Sequence, residues 1–84
     1  ALAPVVYRVL GGMKESLQQG NDDYAGLQAE AMRELKDNGF GPDYIAIRRA
    51  GDLTEPEAGE SELVILGAAF LGKARLIDNI DFTR

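Results

Sequence analysis

The chain of 84 residues contains neither cysteine nor histidine. Without cysteine it has no disulfide framework and no thiolate ligand for a metal. Without histidine it lacks the commonest general base and the commonest metal ligand, so a hydrolase triad within these residues is excluded and no metal site is expected. The sequence also has no apolar run near the roughly 18 residues that a membrane span needs. Its apolar start lacks the basic region and the cleavage site of a signal peptide. We therefore expect no membrane partner.

Basic residues are in the minority, and the formal net charge is -5. This balance argues against binding to a nucleic-acid backbone. Most of the acidic excess lies between Asp52 and Glu62, a segment without lysine or arginine. A solvated loop is the favoured interpretation, because Pro56 and Gly59 indicate an open segment. A cation site is the alternative, and it would require these carboxylates to converge.

The first half of the chain predicts two helices within a single domain, residues 1–84. The first helix runs from about Ala3 to Gln19, and Gly20 ends it. Its apolar residues recur at helical spacing, which indicates one buried face. They are Leu2, Val5, Val6, Val9, Leu10, Met13 and Leu17.

The second helix is expected to start with Asn21 as its N-cap. Asp22 and Asp23 then lie in its first turn, where the helix dipole favours negative charge. The run from Asn38 to Phe40 predicts the end of this helix, with Gly39 in the left-handed conformation and Phe40 packed back on the last turn. The predicted buried stripe comprises Tyr24, Leu27, Ala31, Met32 and Leu35.

The second half of the chain predicts three strands, over 44–49, 63–71 and 74–82. Gly72 and Lys73 form the hairpin turn between the last two strands. Strand 63–71 is apolar on both faces, as is typical of a central strand. The predicted fold class is therefore α+β, with two antiparallel helices on one face of a three-stranded antiparallel sheet (ααβββ) and strand 63–71 in the middle.

The two helices can cover only one face of this sheet. The other face should then expose Val64, Leu66, Ala68 and Phe70, or else Leu63, Ile65, Ala69 and Leu71. An apolar patch of this size usually marks an interface. The sequence therefore predicts a partner domain or subunit that covers the bare face.

One carboxylate interrupts the apolar row of the third strand. Asp78 shares a face with Leu76 and Ile80, and a buried unpaired charge is costly. Arg48 and Arg75 are its nearest plausible partners by sequence. The favoured interpretation is that Asp78 and its neighbour Asn79 tie strand ends together, and the alternative is contact with a substrate at the sheet edge.

Three stretches of the sequence resemble the C-terminal domain of the pantothenate synthetase (pantoate–β-alanine ligase) family. The opening stretch Leu2-Ala3-Pro4-Val5-Val6-Tyr7 resembles the helix that begins this domain. The stretch from Gly39 to Arg48, GFGPDYIAIR, is similar to the family's GF.PDY..IR segment, and that from Ala68 to Ile80 is similar to AA.LG..RLIDN. The chain departs from the family's pattern after Arg48, where an acidic residue often follows.

The resemblance implies a parent ligase that condenses pantoate and β-alanine with ATP and Mg, through a pantoyl-adenylate. It implies a cytoplasmic, homodimeric enzyme whose missing N-terminal Rossmann-like domain holds the nucleotide motifs, with the present domain as a lid. The fragment is then inactive alone and binds no cofactor tightly. No catalytic residue transfers to this sequence. The candidates for contacts at the cleft edge are Lys73, Arg75, Asp78 and Asn79.

A second interpretation is a free-standing small α+β domain that binds a protein through its open sheet face. Self-association of the chain through that face is a further possibility. A nucleic-acid-binding module is a distant third, because the charge has the wrong sign and few aromatic residues are available for base stacking.

Overall fold

The computed structural model describes residues 4–84 and contains two helices followed by three strands. Helix α1 spans Pro4–Gln18 and helix α2 spans Tyr24–Asp37. Strands β1, β2 and β3 span Gly41–Arg49, Glu62–Leu71 and Ala74–Thr83. The predicted α+β class and element order are confirmed. The expectations for Leu2 and Ala3 lie outside the described residues.

Both helices end in the way that the glycine signals predict. At the end of α2, the Gly39 N–H donates to Lys36 O at 3.1 Å and the Phe40 N–H donates to Leu35 O at 3.0 Å. These two bonds form a Schellman motif, in which Gly39 has a φ of 86°. Phe40 and Leu35 both belong to the same buried apolar core.

The prediction for the start of α2 is wrong. Asp23, not Asn21, is the N-cap, and its Oδ1 accepts the Gly26 N–H at 3.1 Å. Asn21 instead accepts the Asp23 N–H at 2.9 Å through Oδ1, which forms a turn before the helix. The helix thus begins at Tyr24, and Asp22 and Asp23 precede its first turn. A carboxylate at position 23 can reach the backbone N–H three residues later, and this geometry decides which acceptor caps the helix.

The three strands form one antiparallel sheet in the order β1-β2-β3. The central position predicted for β2 is confirmed. β1 begins at Gly41, three residues before the predicted start, and an irregularity in the register falls between Pro42 and Tyr44. Proline is tolerated there because β1 is an edge strand. Gly72, with a φ of 62°, makes the tight turn between β2 and β3.

The helices pack on one face of the sheet and bury a single cluster of apolar side chains. Most of the predicted helix stripes are fully buried, whereas Val5, Tyr24, Leu27 and Met32 lie at the rim of the core. The Ile47 N–H on β1 donates to Gln28 Oε1 of α2 at 2.8 Å. The helix thus supplies a hydrogen-bond acceptor for a backbone N–H of this edge strand. From β2 the core takes Leu63, Ile65 and Ala69.

The acidic segment forms the long connection between β1 and β2. Its side chains are mostly exposed, in agreement with the loop interpretation. Arg49 lies 3.5 Å from Glu60 and 3.8 Å from Asp52, so this arginine partly neutralises the segment. No group of three or more potential metal-ligating side chains occurs within residues 4–84. Neither of the helices described is long and apolar enough to cross a membrane.

Candidate functional site

The face of the sheet opposite the helices is the candidate site, and we call it the open face. Residues that pair directly in an antiparallel sheet point to the same side. The register therefore defines its members as Tyr44, Ala46 and Arg48 of β1, Val64, Leu66, Ala68 and Phe70 of β2, and Arg75, Ile77, Asn79 and Asp81 of β3.

The apolar part of the open face is concentrated toward the β2–β3 hairpin. Ile77 is 63% exposed, Phe70 39% and Tyr44 38%. Tyr44 and Ile77 both pair with Ala68, which is fully buried between them. The face thus carries large exposed side chains around a small, recessed alanine. An exposed apolar surface of this shape is better suited to contact with another protein surface than to contact with water.

The expectation that all four open-face residues of β2 are bare is correct only in part. Phe70 is exposed, and Leu66 is half-buried. Val64 is only 8% exposed and Ala68 is inaccessible. The small side chains of the central strand are shielded because larger residues on both edge strands stand beside them.

An ion pair spans the open face from one edge strand to the other. Arg75 of β3 donates from Nε and Nη2 to Asp43 Oδ2, at 3.1 and 3.0 Å. Asp43 lies at the irregularity of β1, and the pair reaches across the intervening strand β2. About two-fifths of each side chain is exposed, so solvent screens the attraction. The pair fixes the direction of the Arg75 side chain more than it stabilises the fold.

The predicted pairing of Asp78 with Arg48 or Arg75 is wrong. Asp78 pairs with Gly67 of β2, and this register places it on the face that carries the helices. Its Oδ1 accepts the Asn79 N–H at 2.8 Å. Arg75 is engaged by Asp43 instead, and Arg48 donates to the backbone oxygen of Ile47 at 2.9 Å. A half-buried position with a backbone donor is sufficient to accommodate the carboxylate.

The four candidate site residues therefore do not form one cluster. Arg75 and Asn79 lie on the open face, and Lys73 lies exposed in the adjoining hairpin turn. Asp78 lies on the opposite side of the sheet. Alternation along a strand separates neighbouring residues in this way, so Asp78 and Asn79 cannot both contact a ligand over one face.

Arg84 forms a polar junction that the sequence pattern did not reveal. Its side chain is only 9% exposed and contacts Asp22 through Nη2. Nη2 also donates to Tyr24 Oη at 3.0 Å, Nη1 to Leu17 O at 3.2 Å, and Nε to the Glu60 carbonyl, which links the helices to the acidic loop. An arginine with no local motif gives no sequence signal for such a role.

The junction shifts the ionisation of its members. The hydrogen bond from Arg84 is the main cause that holds the pKa of Asp22 below its ordinary value of 3.8. Burial is the main cause that raises the pKa of Tyr24, whose hydroxyl also donates to Glu57 O at 2.7 Å. In the loop, Thr54 lowers the pKa of Asp52 through hydrogen bonds from its hydroxyl and its backbone N–H. These groups lie away from the open face and support the fold.

Comparison with known proteins gives one consistent family. The family model described as Pantoate-beta-alanine ligase matches residues 1–81. A pantothenate synthetase from Alkalilimnicola ehrlichii is 49% identical over 80 residues, which are 95% of this chain and 28% of that protein. One from Neisseria meningitidis is 49% identical over 79 residues, again with 28% of its length covered.

Solved structures agree with this match. The crystal structure of pantoate-beta-alanine (pantothenate synthetase) from Thermus thermophilus superposes with a TM-score of 0.77 at 32% identity. The superposition covers 93% of this chain and 28% of that one. The chain thus spans little more than a quarter of the length of the relatives it matches.

Proposed function

Because the chain belongs to the pantoate–β-alanine ligase family, we propose that it is the C-terminal domain of an enzyme that joins pantoate to β-alanine. The proposed reaction consumes ATP, passes through a pantoyl-adenylate, and yields pantothenate, AMP and pyrophosphate. The names of the relatives support the ligase activity. ATP dependence, a cytoplasmic location and a homodimeric parent are further parts of the proposal that follow from the family resemblance.

The role proposed for this domain is that of a lid over a cleft in the rest of the enzyme. The observation that carries it is the one-sided sheet, with Tyr44, Phe70 and Ile77 exposed on the open face. A lid that closes over an acyl-adenylate excludes water, which would otherwise hydrolyse the intermediate. The open face offers an apolar contact surface, and the hairpin at its end places Lys73 beside it.

No residue of this domain is proposed as catalytic. Arg75 already has a carboxylate partner in Asp43, and Asp78 lies on the helix side of the sheet. We assign Lys73, Arg75 and Asn79 to contacts at the interdomain edge. To Asp78 we assign a structural role within β3. We assign the binding of ATP and Mg to the N-terminal domain, as the family resemblance implies.

The first test is pantothenate formation by the complete enzyme. Ile77→Asp should lower kcat/KM at least about tenfold, because a buried charge in the interdomain contact opposes closure. Ala29→Asp is the matched control, since Ala29 is exposed on α2, away from the sheet. Full activity of both Ile77→Asp and Phe70→Asp would exclude the open face as the contact. Failure of the unaltered enzyme to form pantothenate would exclude the activity itself.

The second test asks whether this domain binds substrates alone. The 84-residue chain is titrated with Mg-ATP and then with pantoate, and its amide NMR signals are followed. The lid proposal predicts no saturable shift with either ligand. Saturable shifts around Lys73 to Asn79 would show instead that the domain carries its own nucleotide contacts. Sedimentation of the same sample measures self-association, the outcome expected of a free-standing interaction domain.

A further inference from the structure

Asn38 and Gly39 form the one Asn-Gly dipeptide of the sequence. The other two asparagines, Asn21 and Asn79, are followed by aspartate and isoleucine. Glycine has no side chain to hinder the approach of its own backbone nitrogen to the preceding residue. Both Asn38 and Gly39 are exposed to solvent, at the C-terminal end of α2.

We propose that Asn38 is the site at which this protein deamidates, and that opening of the α2 C-cap controls the rate. Hydroxide removes the proton of the Gly39 amide, and that nitrogen attacks Asn38 Cγ. The new C–N bond closes a succinimide ring, and the Cγ–Nδ2 bond breaks to release ammonia. Water then adds to either ring carbonyl and breaks one C–N bond, so the products are aspartate or isoaspartate at position 38.

The folded C-cap opposes each part of this attack. Asn38 Nδ2 donates to Glu34 O at 2.8 Å, so the side chain is turned back along the helix. The Gly39 N–H, the future nucleophile, is held by Lys36 O at 3.1 Å. The ψ of Asn38 is 14°, which is far from the rotation that the ring requires. The reaction therefore needs a local opening in which these hydrogen bonds break.

The isoaspartate product cannot restore the cap. It carries an extra methylene group in the main chain between the helix and β1, so the bonds from Gly39 and Phe40 to the last turn lose their register. It also adds a negative charge next to Asp37 at the negative end of the helix dipole. Each conversion should therefore leave a chain with a looser connection between α2 and β1.

The test is incubation of the 84-residue chain at mildly alkaline pH, folded or in concentrated guanidinium, followed by peptide mapping and isoaspartate detection. We expect conversion at position 38 first, at least about tenfold more slowly in the folded chain than in denaturant. Earlier conversion at Asn21 or Asn79 would refute the site. Equal rates with and without denaturant would refute control by the C-cap.

Two variants separate local opening from global unfolding. Phe40→Ala removes the buried side chain that follows Gly39 in the Schellman motif and should accelerate conversion several-fold in the folded chain. Leu63→Ala is the control, because Leu63 lies in β2 and outside the α2 C-cap. Urea unfolding of both variants gives their global stability. Acceleration by Phe40→Ala beyond what its lost stability explains supports the proposal. The same dependence on global stability in both variants would overturn control by local opening.

If Phe40→Ala does not fold, hydrogen exchange of the Gly39 N–H is measured in the unaltered chain instead. Conversion of Asn38 at a faster rate than the local opening that exposes this N–H would refute the proposal.

Discussion

Gly67 of β2 lies beneath Leu10 of α1, so close that a Cβ at position 67 would stand 3.3 Å from Leu10 Cδ2. The same atom would stand 3.0 Å from Ile45 Cδ1. The helix therefore packs closely on the sheet at a point where the central strand has no side chain.

Substitution of Gly67 by alanine should lower the free energy of unfolding by about 1 kcal/mol, because the side-chain ends of Leu10 and Ile45 must move by a few tenths of an ångström to admit the methyl group. Urea unfolding measures the effect. Gly12→Ala is the control, since a Cβ at that position of α1 meets no atom within 4 Å. The control should stabilise by about 0.5–1 kcal/mol, as expected for alanine in a helix. Equal effects of the two substitutions would show that the helix does not press on Gly67.

Loss of the Arg84 side chain should weaken the whole domain. In Arg84→Met the acceptors Leu17 O and Glu60 O lose a partially buried charged donor, at a cost of about 1–3 kcal/mol. Arg84→Lys should recover only part, because an ammonium group cannot span the acceptors that a guanidinium fork reaches. The control Arg33→Met, on the exposed side of α2, should change stability by less than about 0.5 kcal/mol. If Arg84→Met were as stable as the unaltered chain, the contacts of Arg84 would not contribute to the stability of the fold.

Stability should fall as the pH drops toward and below about 4. The pKa of Asp22 and that of Asp52 are lower in the folded chain than their ordinary value of 3.8. The unfolded chain therefore binds more protons as the pH passes down through this value, and the lost stability is complete only below the lowered folded pKa values. Thermal unfolding from about pH 6 to about pH 2 measures the slope.

The source of this acid dependence can be assigned by substitution. Asp22→Asn should flatten the slope, and it should do so much less in an Arg84→Met background, because the Arg84 hydrogen bond is the largest cause of the pKa shift. An unaltered slope in Asp22→Asn would contradict a lowered pKa at that carboxyl.

The ion pair across the open face should contribute little to stability. A double-mutant cycle with Asp43→Ala and Arg75→Ala is expected to give a coupling of about 0.2–1 kcal/mol, because about two-fifths of each side chain is exposed to solvent. High salt should reduce this coupling further. A coupling well above this range would mean that the pair is a structural element of the sheet rather than a device that orients Arg75.

The order of the elements, the central place of β2 and the glycine stops of both helices could be predicted from the sequence, because each depends on local periodicity or backbone conformation. The α2 N-cap could not, because Asn21, Asp22 and Asp23 are all good caps, and only the path of the chain decides which carboxylate reaches Gly26. The partner of Arg75 was also missed. Asp43 is 32 residues away along the chain, and only the sheet register brings the two together.

By itself the sequence determined that this domain has a one-sided sheet, since two helices cannot cover two faces and these residues supply no third covering element. Only the tertiary structure decided which face remains open and how exposed its side chains are. The strand register determines which residues lie on that face, and the edge-strand side chains beside Ala68 determine how much of it they shield. It likewise decided that Arg84 joins the helices to the acidic loop. A side chain buried by contacts from several distant segments leaves no pattern in its own neighbourhood.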